Sequence, residues 1–278
     1  MKIEQSVSLQ HALHELPDEQ LSMLYHENSK LFPQLAREQT SEFAASPFEL
    51  YITSRGFRQF RQAKRIALPE ELPTTESIQA LMVRRRTRRD LKGAMSLEEL
   101  ATILRQALGA TALVQNEELG VVQVLRAWPS AGALYPLDTY IVSSQVNGIS
   151  PGLYHFNVIT CELECLPSRP VKQILQDGFF WQDFITSAAA VLIFVAVFQR
   201  TMAKYGERGY RYIFLDAGHA AQNVLLAAEQ LNLSAVPIGG FCDDDLAADL
   251  NIDGIDELVV YAIAMGQASE QPVLEQGL

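Results

Sequence analysis

Apolar positions along SLEELATILRQALG fall at Leu97, Leu100, Ile103, Leu104 and Leu108, the three-and-four spacing of a helix with one inward face. Ser96 followed by Glu99 has capping-box spacing, and Gly109 sits where a helix C-cap belongs. A second helical pattern runs from about Tyr210 to Leu231, with Ile213, Ala217, Ala221, Val224, Leu225 and Ala228 as its inner stripe. Its small residues, Ala217, Gly218, Ala220 and Ala221, allow another backbone to approach closely. Between the two helices the pattern changes. Ala188 to Phe198 is apolar without alternation, as in a strand covered on both faces, and is too short to cross a bilayer. DTYIVSSQV reads as a strand, and GLYHFNVITCELECL as two short strands around a turn at Asn157. Asp243 to Asp245 are placed to cap a short helix ending near Asn251, and ELVVYAIAMG supplies a closing strand. Strands and helices are mixed without strict βαβ alternation, so the expected class is α+β, a sheet flanked by helices.

The first seventy or so residues behave differently. Leu21, Leu24, Tyr25 and Leu31 keep helical spacing, followed by Pro33, a polar stretch and the basic patch SRGFRQFRQAKR, which reads as a solvated face. IALPEELP, with two prolines, looks like an extended connector. The expected division is a helical N-terminal extension over 1–74 and one domain over 75–278.

Composition narrows the chemistry. With 48% hydrophobic residues the chain can bury a substantial core, and a formal net charge of −11 argues against a general nucleic-acid binder. The start shows no basic region followed by an apolar one, so no secretory signal is visible and a cytoplasmic location is the default. Three cysteines form neither an even disulfide set nor a four-ligand metal cluster, and no metal site is expected.

Three loops and one short run carry candidate chemistry. Arg84 to Arg89 places five arginines and Thr87 in six positions, which suits a phosphate through charge-assisted bonds but also suits a basic exposed turn. PSAGALYP, Pro129 to Pro136, brings backbone close to a flat ligand because little side chain intervenes. VPIGGF follows the long helix and offers either backbone N–H groups or a tight turn. Finally, AKYGERGYRY puts Lys204 beside Tyr205, with Arg208 and Arg211 next to them. A lysine desolvated among cations loses its proton more readily, as a general base near neutral pH requires, and Tyr205 could relay that proton or hold a substrate. Which of the two is the base stays open. His219 and His155 read as hydrogen-bonded core residues, while Gln222 and Asn223 could bond backbone across a dimer.

Taken in order and spacing, these motifs resemble the flavin-binding layout of the nitroreductase superfamily. More narrowly, PSAGALYPLDTYIV, GLYHF, KYGERGYRYIFLDAGHAAQNVLLAAEQLNL and VPIGGF resemble the SagB-type dehydrogenases, over about residues 75 to 267. YHENSKL, Tyr25 to Leu31, is similar to a short prelude in that group. This group includes azoline oxidases, which turn thiazolines and oxazolines in modified peptides into azoles. The resemblance implies an FMN-dependent homodimer with each flavin held between protomers. It assigns Arg85, Arg86, Thr87 and Arg89 to the flavin and its phosphate, with Arg86 in the adjoining motif position. It assigns Pro129, Ser130, Ala131 and Gly132 to a loop reaching a flavin across the dimer, and Pro237, Ile238, Gly239 and Gly240 to the flavin's other side. Lys204 and Tyr205 match a pair assigned as catalytic. Ala133 stands where many nitroreductases have Asn, in keeping with the narrower group. The implied partners are a modified peptide with a cyclodehydratase or a peptide synthetase. A thiazoline oxidase working on carrier-bound intermediates, and a non-catalytic scaffold in a synthetase complex, are the alternative readings.

Overall fold

The computed structural model describes Tyr25 and residues 57–73, 76–116, 121–179 and 182–267. The expected N-terminal helix therefore lies outside the described residues, apart from the helical Tyr25. Eleven strands are described: β1 Arg65–Ala67, β2 Met95–Ser96, β3 Ala110–Asn116, β4 Val121–Arg126, β5 Leu137–Ser143, β6 Val146–Asn147, β7 Gly152–Asn157, β8 Glu162–Leu166, β9 Ala190–Val197, β10 Leu233–Ile238 and β11 Glu257–Gln267. The helices are α1 Ile78–Arg84, α2 Leu97–Ile103, α3 Val171–Gly178, α4 Gln199–Tyr205, α5 Glu207–Gln230 and α6 Asp243–Leu250.

Seven strands form the central sheet in the order β1-β8-β7-β5-β9-β11-β10, every pairing antiparallel, while β2 and β6 make a separate parallel pair. β9 is central, and alternate residues serve opposite faces as the pleat dictates. Leu192, Phe194 and Ala196 join a core with α2 and α5, whereas Val191, Ile193 and Val195 join one with α3 and α6. Truncating a ring as enclosed as Phe194 costs about 3–5 kcal/mol, because a cavity is left on top of the lost transfer energy.

Most sequence expectations place correctly. Ser96 and Glu99 form the reciprocal capping box, Glu99 N–H to Ser96 Oγ at 3.1 Å and Ser96 N–H to Glu99 Oε2 at 2.7 Å. All six residues of the inner stripe on α5 are buried. Other details differ. The helix begins at Glu207, directly after Gly206, whose φ of 51° and ψ of −145° break it from α4. Helix α2 widens into a π turn over Leu104–Leu108, and Gly109 ends it in an extended conformation, not a left-handed one. Asp243 to Asp245 lie inside the first turn of α6 and favour its N-terminal dipole there, with no side-chain cap. VPIGGF is half strand: Val236, Pro237 and Ile238 belong to β10, the edge of the sheet, where a residue without an N–H is tolerated. β11 therefore lies inside the sheet, between β9 and β10. The hairpin β3–β4 went unread because it exposes Leu113, Val114 and Val122, leaving no inward apolar face to show in the pattern.

Candidate functional site

Two neighbouring strand ends bring the first half of the site together. Leu137 opens β5 directly after the 129–136 loop, and it pairs with Ala196 near the end of β9, which leads into α4. The loop and α4 thus leave the sheet side by side, and Lys204 and Tyr205 are the last two residues of α4. Gly132 adopts φ 61°. A Cβ built on it would stand 2.7 Å from Tyr205 Oη and 3.0 Å from Lys204 Nζ, so both heads would have to give way to a larger residue, which the positive φ would strain in any case. The two proton-carrying heads therefore converge on one backbone position. Tyr205 meets Tyr212 edge-on at 5.2 Å, Arg208 lies over the Tyr212 ring, and Arg211 lies over the ring of Tyr25.

The loop's shape is costly, and it is held in place. Ala133 and Tyr135 have φ of 53° and 46°, a left-handed region that residues with a Cβ occupy only when their surroundings impose it. Asp216 of α5, 3% exposed, accepts from the Ser130 hydroxyl and from the Ala131 amide. Ser130 Oγ in turn accepts the Tyr135 N–H at 2.9 Å, and the Gln123 side chain donates to the Ala133 carbonyl at 2.9 Å. A serine hydroxyl has one donor and two acceptor positions. With its donor given to Asp216 and one acceptor to Tyr135, Ser130 can serve a ligand only as an acceptor. Burial pushes the Asp216 carboxyl above the usual range, against the bonds from Ser130 and Ala131 and the nearby His219.

The second half of the site lies at the other end of α5. Glu229, also 3% exposed, takes Arg84 Nε at 2.7 Å and Arg88 Nη2 at 3.2 Å. The five arginines are thereby sorted: two are spent on Glu229, and among the described residues no carboxylate pairs with Arg85, Arg86 or Arg89. Arg86 bonds the carbonyls of Val83 and Arg85, and Thr87 is exposed. Arg89 lies over the ring of Phe184 at 5.8 Å, in the turn Asp183–Ser187. Just before that turn, the Gln182 side chain donates to the Gly240 carbonyl at 2.7 Å. The arginine loop and the Gly239–Gly240 loop thus meet on one turn. The open side of Gly239 has Tyr261 Cε2, at 4.0 Å, as its nearest neighbour. Unpaired guanidiniums, a free hydroxyl and bare backbone are the donor set that a phosphate and a flat ring system require, and these residues fit FMN.

Asp216 and Glu229 are thirteen residues apart on one helix, about 20 Å at 1.5 Å per residue. Within a single chain, the anchors of the 129–136 loop and of the arginine loop are therefore separated by about half the length of α5.

Three residues that brace the candidate site escaped the sequence reading, and two left a signal. Asp216 and Glu229 are acids at inward positions of an apolar helix, spaced three and four residues from Ile213 and Leu225. A buried acid needs a partner. Asp138, on β5, left none that local pattern could separate from an ordinary strand. Of the residues set aside, His155 is buried with Nδ1 2.9 Å from Glu164 Oε2, as expected of a core histidine. His219 is not a core residue: it falls on the exposed side of α5, because the stripe turns its opposite face inward. Asn223 bonds the Ala127 carbonyl of its own chain at 3.2 Å. The basic patch is only in part a solvated face, since Arg58 is half-buried against Asp138 and Glu257 while Arg61, Lys64 and Arg65 are exposed. Among the described residues no three His, Cys, Asp or Glu side chains cluster as metal ligands, and no helix is long and apolar enough to cross a membrane.

Comparison with known proteins gives the arrangement its relatives. The profile of the Nitroreductase family matches residues 82–267. MJ1384 of Methanocaldococcus jannaschii, which carries a provisional nitroreductase name, is 36% identical over 185 residues, 66% of this chain and 89% of its own. The microcin B17-processing protein McbC of Escherichia coli is 27% identical over 137 residues, 47% of this chain and 50% of McbC. Among solved structures, one from Anabaena variabilis, also under a provisional nitroreductase name, is 28% identical with a TM-score of 0.70, covering 87% of this chain and 45% of that one. The E. coli microcin synthetase McbBCD complex contains a chain sharing the fold at 18% identity and a TM-score of 0.55, with 94% of this chain and 98% of that chain covered.

Proposed function

The chain belongs to the nitroreductase family, and on that premise we propose that it is an FMN-dependent dehydrogenase that oxidises peptide azolines, thiazoline or oxazoline, to azoles in the maturation of a modified peptide. The observation that carries this reading is the convergence of Lys204 Nζ and Tyr205 Oη on Gly132. A plain electron-transferring flavoprotein has no use for two proton-handling groups aimed at the same backbone position. Aromatising an azoline does: one hydrogen leaves as a proton from the carbon between the carbonyl and the imine, the other as hydride. Bound FMN supplies the hydride acceptor. Lys204 and Tyr205 supply the proton's path, one as base and one as relay or as a donor that orients the substrate. Similarity to McbC, named for processing a peptide, supports a peptide substrate, and the shared fold with a chain of the McbBCD complex supports a synthetase partner such as a cyclodehydratase.

FMN would be held by Arg85, Thr87 and Arg89 at its phosphate, with Arg86 beside them, and by Pro237 to Gly240 on one side. The loop Pro129 to Gly132 would cover it from the partner protomer. The length of α5 supports that division, since Asp216, which holds the Gly132 loop, and Glu229, which holds the arginine loop, lie about 20 Å apart along the helix. A second copy brings the two loops to one ligand, so the functional unit is a homodimer. The test is direct. The purified protein reconstituted with FMN should be a yellow dimer by light scattering and should convert a synthetic thiazoline peptide to the thiazole, with a mass loss of two hydrogens. A flavin-loaded protein that leaves thiazoline and oxazoline peptides untouched, alone and with a cyclodehydratase, sinks the reading and leaves a scaffold role.

A further inference from the structure

Helix α4, which carries Lys204 and Tyr205, is strapped to the sheet by a buried ionic network with one leg in the N-terminal segment. Arg200 stands one helical turn before Lys204 and grips Asp138 with both arms of its fork, Nη1 to Oδ1 at 2.8 Å and Nη2 to Oδ2 at 3.0 Å. Asp138 lies two residues beyond Pro136, the end of the loop that carries Gly132. This one bridge therefore joins the helix bearing the proton-handling pair to the strand bearing the loop on which that pair converges. Arg58 completes it. Its Nε reaches Asp138 Oδ2 at 3.2 Å, its Nη1 reaches Tyr140 Oη at 3.0 Å, and its Nη2 bonds Glu257. Glu257 pairs with Val197, the last residue of β9 before α4. Next to Arg58, the Phe60 amide donates to the buried Glu164 at 3.0 Å, and its ring meets His155 at 5.1 Å. Two guanidiniums bond two carboxylates here, and a third, the buried Arg126, lies within electrostatic reach of Asp138 and Arg200. Burial alone would raise the Asp138 carboxyl, yet Arg200, His155 and Arg58 together hold it below the usual range.

Such an arrangement exceeds what fastening an extension requires. A buried pair is a weak source of net stability compared with apolar packing, but it fixes geometry tightly because each fork accepts one orientation. We propose that Arg58 is a positioning residue for turnover: through the carboxylate it shares with Arg200, it sets where Lys204 and Tyr205 stand relative to Gly132, and this makes residues 57–60 of the N-terminal segment part of the working enzyme. The inference rests on the reading that Lys204 and Tyr205 move the substrate's proton.

The test uses the full chain loaded with FMN and a thiazoline peptide, comparing Arg58→Ala, Arg58→Lys and Lys204→Ala. A misplacement of about 1 Å at a reacting group costs on the order of 10²-fold. Arg58→Ala should lower kcat per bound flavin toward that range with KM and flavin affinity unchanged, since the network touches none of the flavin-binding residues. Arg58→Lys restores the charge without the fork and should recover only part of the rate. A readout free of turnover accompanies these: in the flavin-free protein, amide hydrogen exchange over Gln199–Tyr205 should accelerate in Arg58→Ala and stay slow over α3. If Arg58→Ala does not fold, Arg58→Lys carries the comparison. Wild-type kcat per flavin and wild-type α4 exchange in the Arg58 variants, with Lys204→Ala impaired, overturn this inference alone. Wild-type turnover in Lys204→Ala overturns the reading beneath it.

Discussion

The two ends of α5 use one device for opposite purposes. Each half of the helix buries a single acid, Asp216 or Glu229, equally shielded from solvent, and each acid organises a loop of the candidate site. Glu229 is met by two guanidiniums, whereas Asp216 is met by a hydroxyl and an amide. At the far end the acid works by subtraction. It takes Arg84 and Arg88 out of a cationic run and leaves Arg85, Arg86 and Arg89 for another anion. At the near end the acid works on backbone, holding the Ser130–Tyr135 loop in left-handed geometry so that Gly132 meets Lys204 and Tyr205. Charge selection and shape selection thus occupy separate parts of one rigid element, the division that the proposed homodimer would bring to one ligand.

The sharpest way to break the comparison is at the near end. Lys204→Ala should lower azoline turnover by about 10²–10⁴-fold, the usual contribution of a positioned base, with flavin absorbance retained. Tyr205→Phe keeps the ring against Tyr212 and removes only the hydroxyl, so it separates the phenol's role from packing. Flavin loss in either variant would mean that Lys204 and Tyr205 hold the cofactor themselves and that the two ends are not functionally distinct.

The far end should respond in the converse way. Arg85→Ala removes a charge-assisted donor worth about 1.5–3 kcal/mol, so FMN affinity should fall by roughly 10- to 100-fold while turnover per bound flavin holds. Titration followed by flavin fluorescence measures it, and unchanged affinity would remove Arg85 from the phosphate site. Glu229→Gln acts on the same loop through stability. It should cost about 1–2 kcal/mol in denaturant unfolding of the flavin-free protein, discounted because Arg84 and Arg88 are partly hydrated and can regain water. Full stability in Glu229→Gln would mean that the arginines are not sorted by this acid.

What was legible in the sequence follows the range of the interactions. The capping box at Ser96, the stripe of α5 and the apolar run of β9 are written in neighbours a few residues apart, and pattern reads them. The 129–136 loop and the Lys204–Tyr205 pair lie together because strand pairing brings Leu137 beside Ala196. The polar contacts that position the site residues span long distances: Asp138 to Arg200, Ser130 to Asp216 and Arg84 to Glu229 are separated by 62, 86 and 145 residues. No local periodicity carries such a partner. The edge strand β10 was hidden for a different reason, since its Pro237 and the following glycines have the composition of a loop.

The smallest effect gives the finest test of the contrast, because it reads how each acid is partnered. Asp216 has its carboxyl raised by burial, with only Ser130, Ala131 and His219 working against the shift. An unfolded aspartate titrates near 3.9. Between that value and the raised one, the unfolded chain releases its proton while the folded chain keeps it. The folded state then binds more protons, and stability falls as pH rises. The contribution is whole below about pH 3.9 and is lost as pH climbs through the folded value. Asp138 has the opposite sign: its carboxyl is lowered, so its contribution is present above about pH 3.9 and is lost on acidification. Subtracting the unfolding free energy of Asp216→Asn from that of the native chain, pH by pH, cancels Asp138 and every other group that the substitution does not touch. The difference should decline from pH 4 upward, by no more than about 1.4 kcal/mol per unit, and then level off. A difference that rises with pH would mean that the Asp216 carboxylate is stabilised by charge, as at the far end of the helix, and that the two ends work alike.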